Sequence, residues 1–187
     1  CRAGWRACGR LALAFVCGAD PDATAASRDG LAPCGARATF CRIGQSLAAP
    51  PALAQRLLQE GHELGNHSWR HSRWQNFFGA DALTQEIERG AQAITTVSKR
   101  TTPPLYRPPL GFKSPPLSRA ASRLGLTVVA WSLHGRDTFN ASADKVAARV
   151  LKKIRPGDIV LLHDGHDLSG HHRRACAPAV PLILHGL

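Results

Sequence analysis

Methionine is absent from all 187 residues, and the chain opens on Cys1. A sequence with neither an initiator nor an internal methionine is expected to be a piece of a longer one. Its localisation is left open, cytoplasmic or, with a lost leader, secreted or in the cell envelope. Acidic residues are scarce, 13 Asp and Glu against 24 Lys and Arg, for a formal net charge of +11. Such an excess suits an anionic partner. The 19 arginines are spread singly, however, with only five lysines and no dense tract or interleaved aromatics. That spread argues against specific nucleic-acid binding. No apolar run approaches the ~18 residues of a membrane-spanning helix. Leu11–Cys17 is too short and lacks a small-residue cleavage site, so it reads as a buried strand. The six cysteines form no CxxC pair and do not read as a disulfide framework, so most are expected to be reduced. Neither GxSxG nor a phosphate-cradling glycine loop is present, so serine-hydrolase and nucleotide chemistry have no support.

What is present is an alternation of short apolar runs with helical patterns. Strands are expected at Leu11–Val16, Ala36–Ile43, His62–Asn66, Leu105–Arg107, Thr127–Leu133 and Asp158–His163. Helices are expected at Pro51–Glu60, at Asp81–Val97 capped by Asp81, after the Ser114-Pro115-Pro116 start, and at Ser142–Ile154. Ala25–Cys34 contains Gly30 and Pro33 and is expected to form only a short or damaged helix. The alternation indicates α/β architecture with parallel strands. No repeat or linker divides it, so residues 1–10 are read as an extension and residues 11–187 as one domain.

Ligands in such folds gather at the C-terminal ends of strands. Val16-Cys17 ends the first strand candidate, and His67-Ser68-Trp69-Arg70-His71 follows the third. Arg107 ends the fourth, Trp131 and Asp137 flank the end of the fifth, and His163 ends the sixth. Two imidazoles four residues apart either chelate one divalent ion or are unrelated surface histidines. Their place at a strand end, with polar residues converging from other strand ends, favours the ion. His163, His166, His171 and His172 read as a solvated loop rather than a second metal site. Asn140-Ala141-Ser142 fits a glycosylation sequon, though Ser142 is better explained as a helix cap.

Several stretches together resemble the polysaccharide deacetylase (NodB homology) family. They are Ala38-Thr39-Phe40 with Ile43-Gly44, the run Glu60 to His71, Tyr106-Arg107-Pro108-Pro109-Leu110-Gly111, Trp131-Ser132-Leu133 with Asp137, and Leu161-Leu162-His163-Asp164-Gly165. The resemblance runs from about Leu11 to the end. It implies a distorted (β/α) barrel with fewer than eight strands, stopping in this sequence before the family's last strand. It implies a divalent metal, zinc foremost, on His67 and His71 with a third ligand from the first strand. It further implies Arg107 as the residue that positions the base and His163 as the acid, supported by Asp137. Pro108, Trp131 and Leu161 would line the site for an acetylated oligo- or polysaccharide. The reaction would be metal-assisted removal of N- or O-acetyl groups.

The first motif departs from the family pattern, Thr-Phe-Asp-Asp-Gly-Pro, by reading Ala14-Phe15-Val16-Cys17-Gly18-Ala19. Val16 stands in place of the base and cannot accept a proton. Cys17 stands in place of the metal-binding carboxylate. It either completes a three-ligand site as a thiolate or is a buried thiol in a decayed one. Asp20 and Asp22 are alternative carboxylates just beyond. Without its carboxylate, Arg107 is expected to pair with Asp137 or to hold a small anion. The rival to a deacetylase is a catalytically inactive domain that binds glycan through the surviving cleft.

Overall fold

The computed structural model describes residues 11–17, 21–48, 51–99, 103–138, 142–165 and 175–187. Asp20, Asn140, His166, His171, His172 and the segment 1–10 lie outside the described residues. Among the described residues seven strands are interspersed with helices: β1 Ala12–Cys17, α1 Pro21–Leu31, β2 Ala38–Arg42, α2 Pro51–Gln59, β3 Glu63–Asn66, α3 Ala80–Ser98, β4 Leu105–Tyr106, α4 Pro115–Arg123, β5 Thr127–Val128, β6 Leu133–His134, α5 Ala143–Lys153, β7 Ile159–His163 and α6 Cys176–Gly186. This is the α/β class with fewer than eight strands that the sequence predicts. The chain divides into two compact units. One holds the described residues up to Phe40 and from Trp131 onward, and the other is Cys41–Ala130. No helix among the described residues is long and apolar enough to cross a membrane.

In the first unit β1 and β6 flank β7, both parallel to it, with Val16 opposite His163 and His134 opposite Leu161. Five of the six residues of β1 are buried. A parallel strand covered on both faces needs a continuous apolar run rather than an alternating one. Helix α6 packs on α1 and α5. Where a damaged helix was expected, α1 is a regular one of 11 residues followed by a short 3-10 turn at Ala32–Cys34. Its breaking residues serve packing instead. A Cβ on Gly30 would lie 3.1 Å from Pro181 Cδ, and Thr24 and Ser27 are fully buried. Pro33 falls beyond the helix, in the turn. Cys34 is disulfide-bonded, an exception to the expectation of reduced cysteines, whereas Cys17, Cys41 and Cys176 are thiols.

In the second unit β4 lies parallel between β3 and β5, with Asn66 opposite Tyr106 and Tyr106 opposite Val128. Helix α3 packs on α4 over a core of Leu83, Ile87, Tyr106, Leu117 and Ala120. Gly79, not Asp81, is the cap residue of α3, and Asp81 in its first turn pairs with Arg123 Nη1 at 2.5 Å. Ser114 does cap α4 by accepting from Leu117 N, and Ser142 caps α5 by accepting from Lys145 N. The run expected as one strand, Thr127–Leu133, is two strands, β5 and β6, with non-strand backbone between them.

Candidate active site

The second unit supplies the two imidazoles. Beyond the end of β3, His67 N donates to Arg42 O at 3.0 Å, and the chain then turns sharply. Ser68 and His71 adopt φ of 72° and 53°, the left-handed region that side chains other than glycine seldom occupy. Local hydrogen bonds hold this turn. Ser68 N donates to Asn66 Oδ1 and His71 N to Ser68 Oγ, each at 3.0 Å. Asn66 Nδ2 donates to Ile87 O of α3 at 2.8 Å. Arg70 is bound through its backbone N and its Nε to Glu86, a carboxylate buried on α3. The two imidazole rings meet edge to face with centroids 4.8 Å apart.

His67 is 3% exposed, and its Nδ1 lies 2.8 Å from Arg107 O. A carbonyl only accepts, so Nδ1 carries the proton, and in the neutral ring the lone pair falls on Nε2. A backbone carbonyl that fixes the tautomer in this way is a usual support for a metal-binding imidazole. The two imidazoles therefore suit a divalent metal ion. Arg107 is 3% exposed; Nη2 donates to Ala130 O at 2.9 Å and Nε to Val129 O at 3.3 Å. The guanidinium is thus anchored to backbone carbonyls, and its Nη1 has no partner among the described residues. Pro108, next to it, is buried.

In the first unit His163 and Asp137 are paired. His163 ends β7, and its Nδ1 donates to Asp137 Oδ1 at 2.9 Å while its backbone N donates to Asp137 Oδ2 at 2.6 Å. Burial alone would raise the Asp137 carboxyl. The hydrogen bonds and positive charge of His163 outweigh burial and hold it below the ordinary carboxylate range. With Nδ1 bound to Asp137, Nε2 is the remaining ring nitrogen of His163. Both Asp137 oxygens accept from His163. The His134 ring lies 5.4 Å from that of His163, and half-buried Trp131 meets His134 edge-on at 5.8 Å. Leu161 is buried within β7. Cys17 closes β1, buried and at φ 76°, beside a buried Val16. Asp22 is exposed in the first turn of α1. Behind His163, Asp164 is buried and accepts from Thr24 Oγ1 at 2.7 Å.

The family model for polysaccharide deacetylase matches residues 6–129. A peptidoglycan-N-acetylglucosamine deacetylase of Bacillus cereus is 35% identical over 176 residues, spanning 93% of this chain and 79% of its own length. The chain belongs to the polysaccharide deacetylase family. Solved structures agree. A family 4 carbohydrate esterase from Streptomyces lividans, in complex with acetate, superposes with a TM-score of 0.84 at 30% identity, over 96% of this chain and 88% of that one. A family 4 acetyl xylan esterase from Clostridium thermocellum, in complex with a cobalt ion, gives 0.82 at 30% identity, over 94% and 82%.

Within this polysaccharide deacetylase, some supporting residues carried no role in the sequence reading. Asn66 and Ser68 sit inside a quoted motif yet act on the turn rather than as ligands. Glu86 had a usable signal. It interrupts the apolar face of α3 formed by Leu83, Ile87, Gly90 and Ile94, where a carboxylate needs a buried partner. Thr24 and Asp164 are brought together from 140 positions apart, and no local pattern announces such a pair.

Proposed function

We propose that this polysaccharide deacetylase is a metal-dependent hydrolase that removes N- or O-acetyl groups from an acetylated oligo- or polysaccharide, at a rate limited by its first motif. The observation that carries the reading is the tautomer of His67, fixed through Nδ1 by Arg107 O at 2.8 Å, which directs the Nε2 lone pair to a ligand. His67, His71 and Cys17 hold the ion, and a thiolate third ligand selects zinc over harder ions. When bound, the ion supplies Lewis-acid polarisation of the acetyl carbonyl and lowers the pKa of water.

The remaining steps belong to side chains. His163 delivers its Nε2 proton to the leaving sugar nitrogen or oxygen as the tetrahedral adduct collapses to acetate. Asp137 keeps the imidazole oriented and stabilises the imidazolium form before that transfer. Arg107 is tethered through its guanidinium to Val129 and Ala130, and in the family pattern such an arginine orients a carboxylate base. Val16 offers that guanidinium no carboxylate and the attacking water no proton acceptor. Turnover is therefore slow.

A second reading, an inactive domain that binds glycan, is favoured by the same residue, because Val16 is apolar and 3% exposed. Acetate release from acetylated chitooligosaccharide and xylan, compared between the parent and a Val16→Asp/Cys17→Asp variant, separates the two. A positioned base is worth about 100- to 10,000-fold, so the variant is expected to be faster by a factor in that range. A parent as fast as the variant means that another group, such as Asp20, is the base. No acetate from either protein, with glycan binding retained, leaves the second reading.

A further inference from the structure

Two loops of the second unit carry large apolar side chains out into solvent. The first starts at Ser72, directly after His71, and folds into a 3-10 turn at Gln75–Phe77. Its hydrogen bonds run from Gln75 N to Ser72 O, Phe77 N to Trp74 O and Phe78 N to Gln75 O. Gln75 points inward, is 5% exposed and donates to the hydroxyl of buried Tyr106. With Gln75 anchored, Trp74 and Phe77 face outward while Asn76 stays half-buried. Trp74 and Phe77 are three apart, and in a 3-10 turn such positions eclipse. Their rings sit 5.9 Å apart, with Trp74 70% and Phe77 80% exposed.

The second loop follows Arg107. Leu110 is held at φ 57° in the turn Pro109–Gly111, and Leu110 and Phe112 are each 52% exposed. The two loops meet, since Gln75, Asn76, Pro108, Pro109 and Phe112 line one small pocket. The chain thus presents a paired aromatic platform, with Leu110 and Phe112 beyond it, on two loops that start at a proposed metal ligand and at the proposed positioning arginine. Exposed apolar patches of this kind mark ligand or partner surfaces. The occupant is fixed by continuity with those site residues. A sugar chain whose acetyl group is at the site continues beyond it, and the axial C–H bonds of a β-linked pyranose present a positive face to the negative face of an aromatic ring.

We infer that Trp74 and Phe77, with Leu110 and Phe112, form an accessory subsite that stacks sugar rings next to the reacting unit, making the protein selective for chains over single sugars. This rests on the deacetylase reading only for its position along the glycan. The test compares the parent with Trp74→Ala/Phe77→Ala, both carrying zinc. Binding of fully N-acetylated chitohexaose is followed by calorimetry, and KM and kcat are measured on the hexamer and on 4-nitrophenyl acetate. Two aromatic contacts support an expected rise of about tenfold in Kd and KM for the hexamer. The aryl ester should show unchanged kinetics, with the melting temperature also unchanged. An unaltered hexamer Kd overturns the inference. So does an equal loss on the aryl ester, which would signal a general defect. Sedimentation showing a parent dimer that the double variant abolishes would overturn it in favour of a self-association surface. If neither protein releases acetate while hexamer binding still depends on Trp74, the deacetylase reading fails and the accessory subsite stands.

Discussion

At the scale of single residues, backbone strain marks the proposed site more sharply than side-chain identity does. Cys17, Ser68 and His71 are three of the six non-glycine residues with positive φ among those described. Each such conformation costs on the order of 1 kcal/mol or more, and it persists only where the surroundings dictate it. If Cys17, His67 and His71 act together as ligands, purified protein should carry about one zinc per chain, and His67→Ala should lose it. Elemental analysis showing full zinc in that variant would remove the assignment. Arg107 is a second residue-scale case. Its fork reaches two carbonyls that an ammonium cannot satisfy in the same geometry. Arg107→Lys is therefore expected to destabilise the fold by about 1–3 kcal/mol, the scale of leaving buried polar groups unpaired. An unchanged denaturant midpoint would show that those carbonyls need no guanidinium.

At the scale of elements, the sequence was most readable where burial imposes a period and least readable where tertiary contacts replace one. The apolar run of β1 and the stripe of α3 were plain, as were the serine caps of α4 and α5. Thr127–Leu133 reads as one strand because all its residues but Ser132 are apolar or β-branched. Its middle leaves the ladder because the Val129 and Ala130 carbonyls are taken by Arg107, a contact from 22 and 23 positions away. Helix α1 looked damaged because Gly30 is a poor helix former. The close approach of Pro181 and Val180 requires that glycine, and no local rule reveals it. Gly90 in α3 is the same device at the site. Replacing it with alanine would gain about 1 kcal/mol of helix propensity. The new Cβ, however, would lie 2.5 Å from Asn66 Oδ1 and 3.1 Å from the Ser68 carbonyl carbon, and backbone cannot move aside cheaply. Overpacking of about 1–3 kcal/mol wins. Gly90→Ala should melt lower and bind zinc more weakly, because Asn66 and Ser68 hold the His67–His71 turn. A higher melting temperature with unchanged zinc would show that the turn adapts.

At the scale of the whole molecule, the charge balance sets how the protein meets acid. With a net charge of +11 at pH 7, each carboxylate protonated on acidification adds to an existing self-repulsion. That response is shared by every variant, so a difference between two proteins isolates one group. Asp137 is the group to choose, because it is 2% exposed and is held below the ordinary range by His163. A carboxyl with a depressed folded pKa binds fewer protons folded than unfolded once the pH nears its unfolded value of about 3.9. Its contribution is complete well above that value and is lost as pH falls through the lower folded one. The parent should therefore melt higher than Asp137→Asn at pH 7, and the gap should close as pH drops below about 4. Paired melting curves from neutral to strongly acidic buffer test this. A gap that stays constant across that range would mean that Asp137 stabilises the fold by packing and neutral hydrogen bonds. In that case its charge would not hold the His163 imidazole for proton transfer.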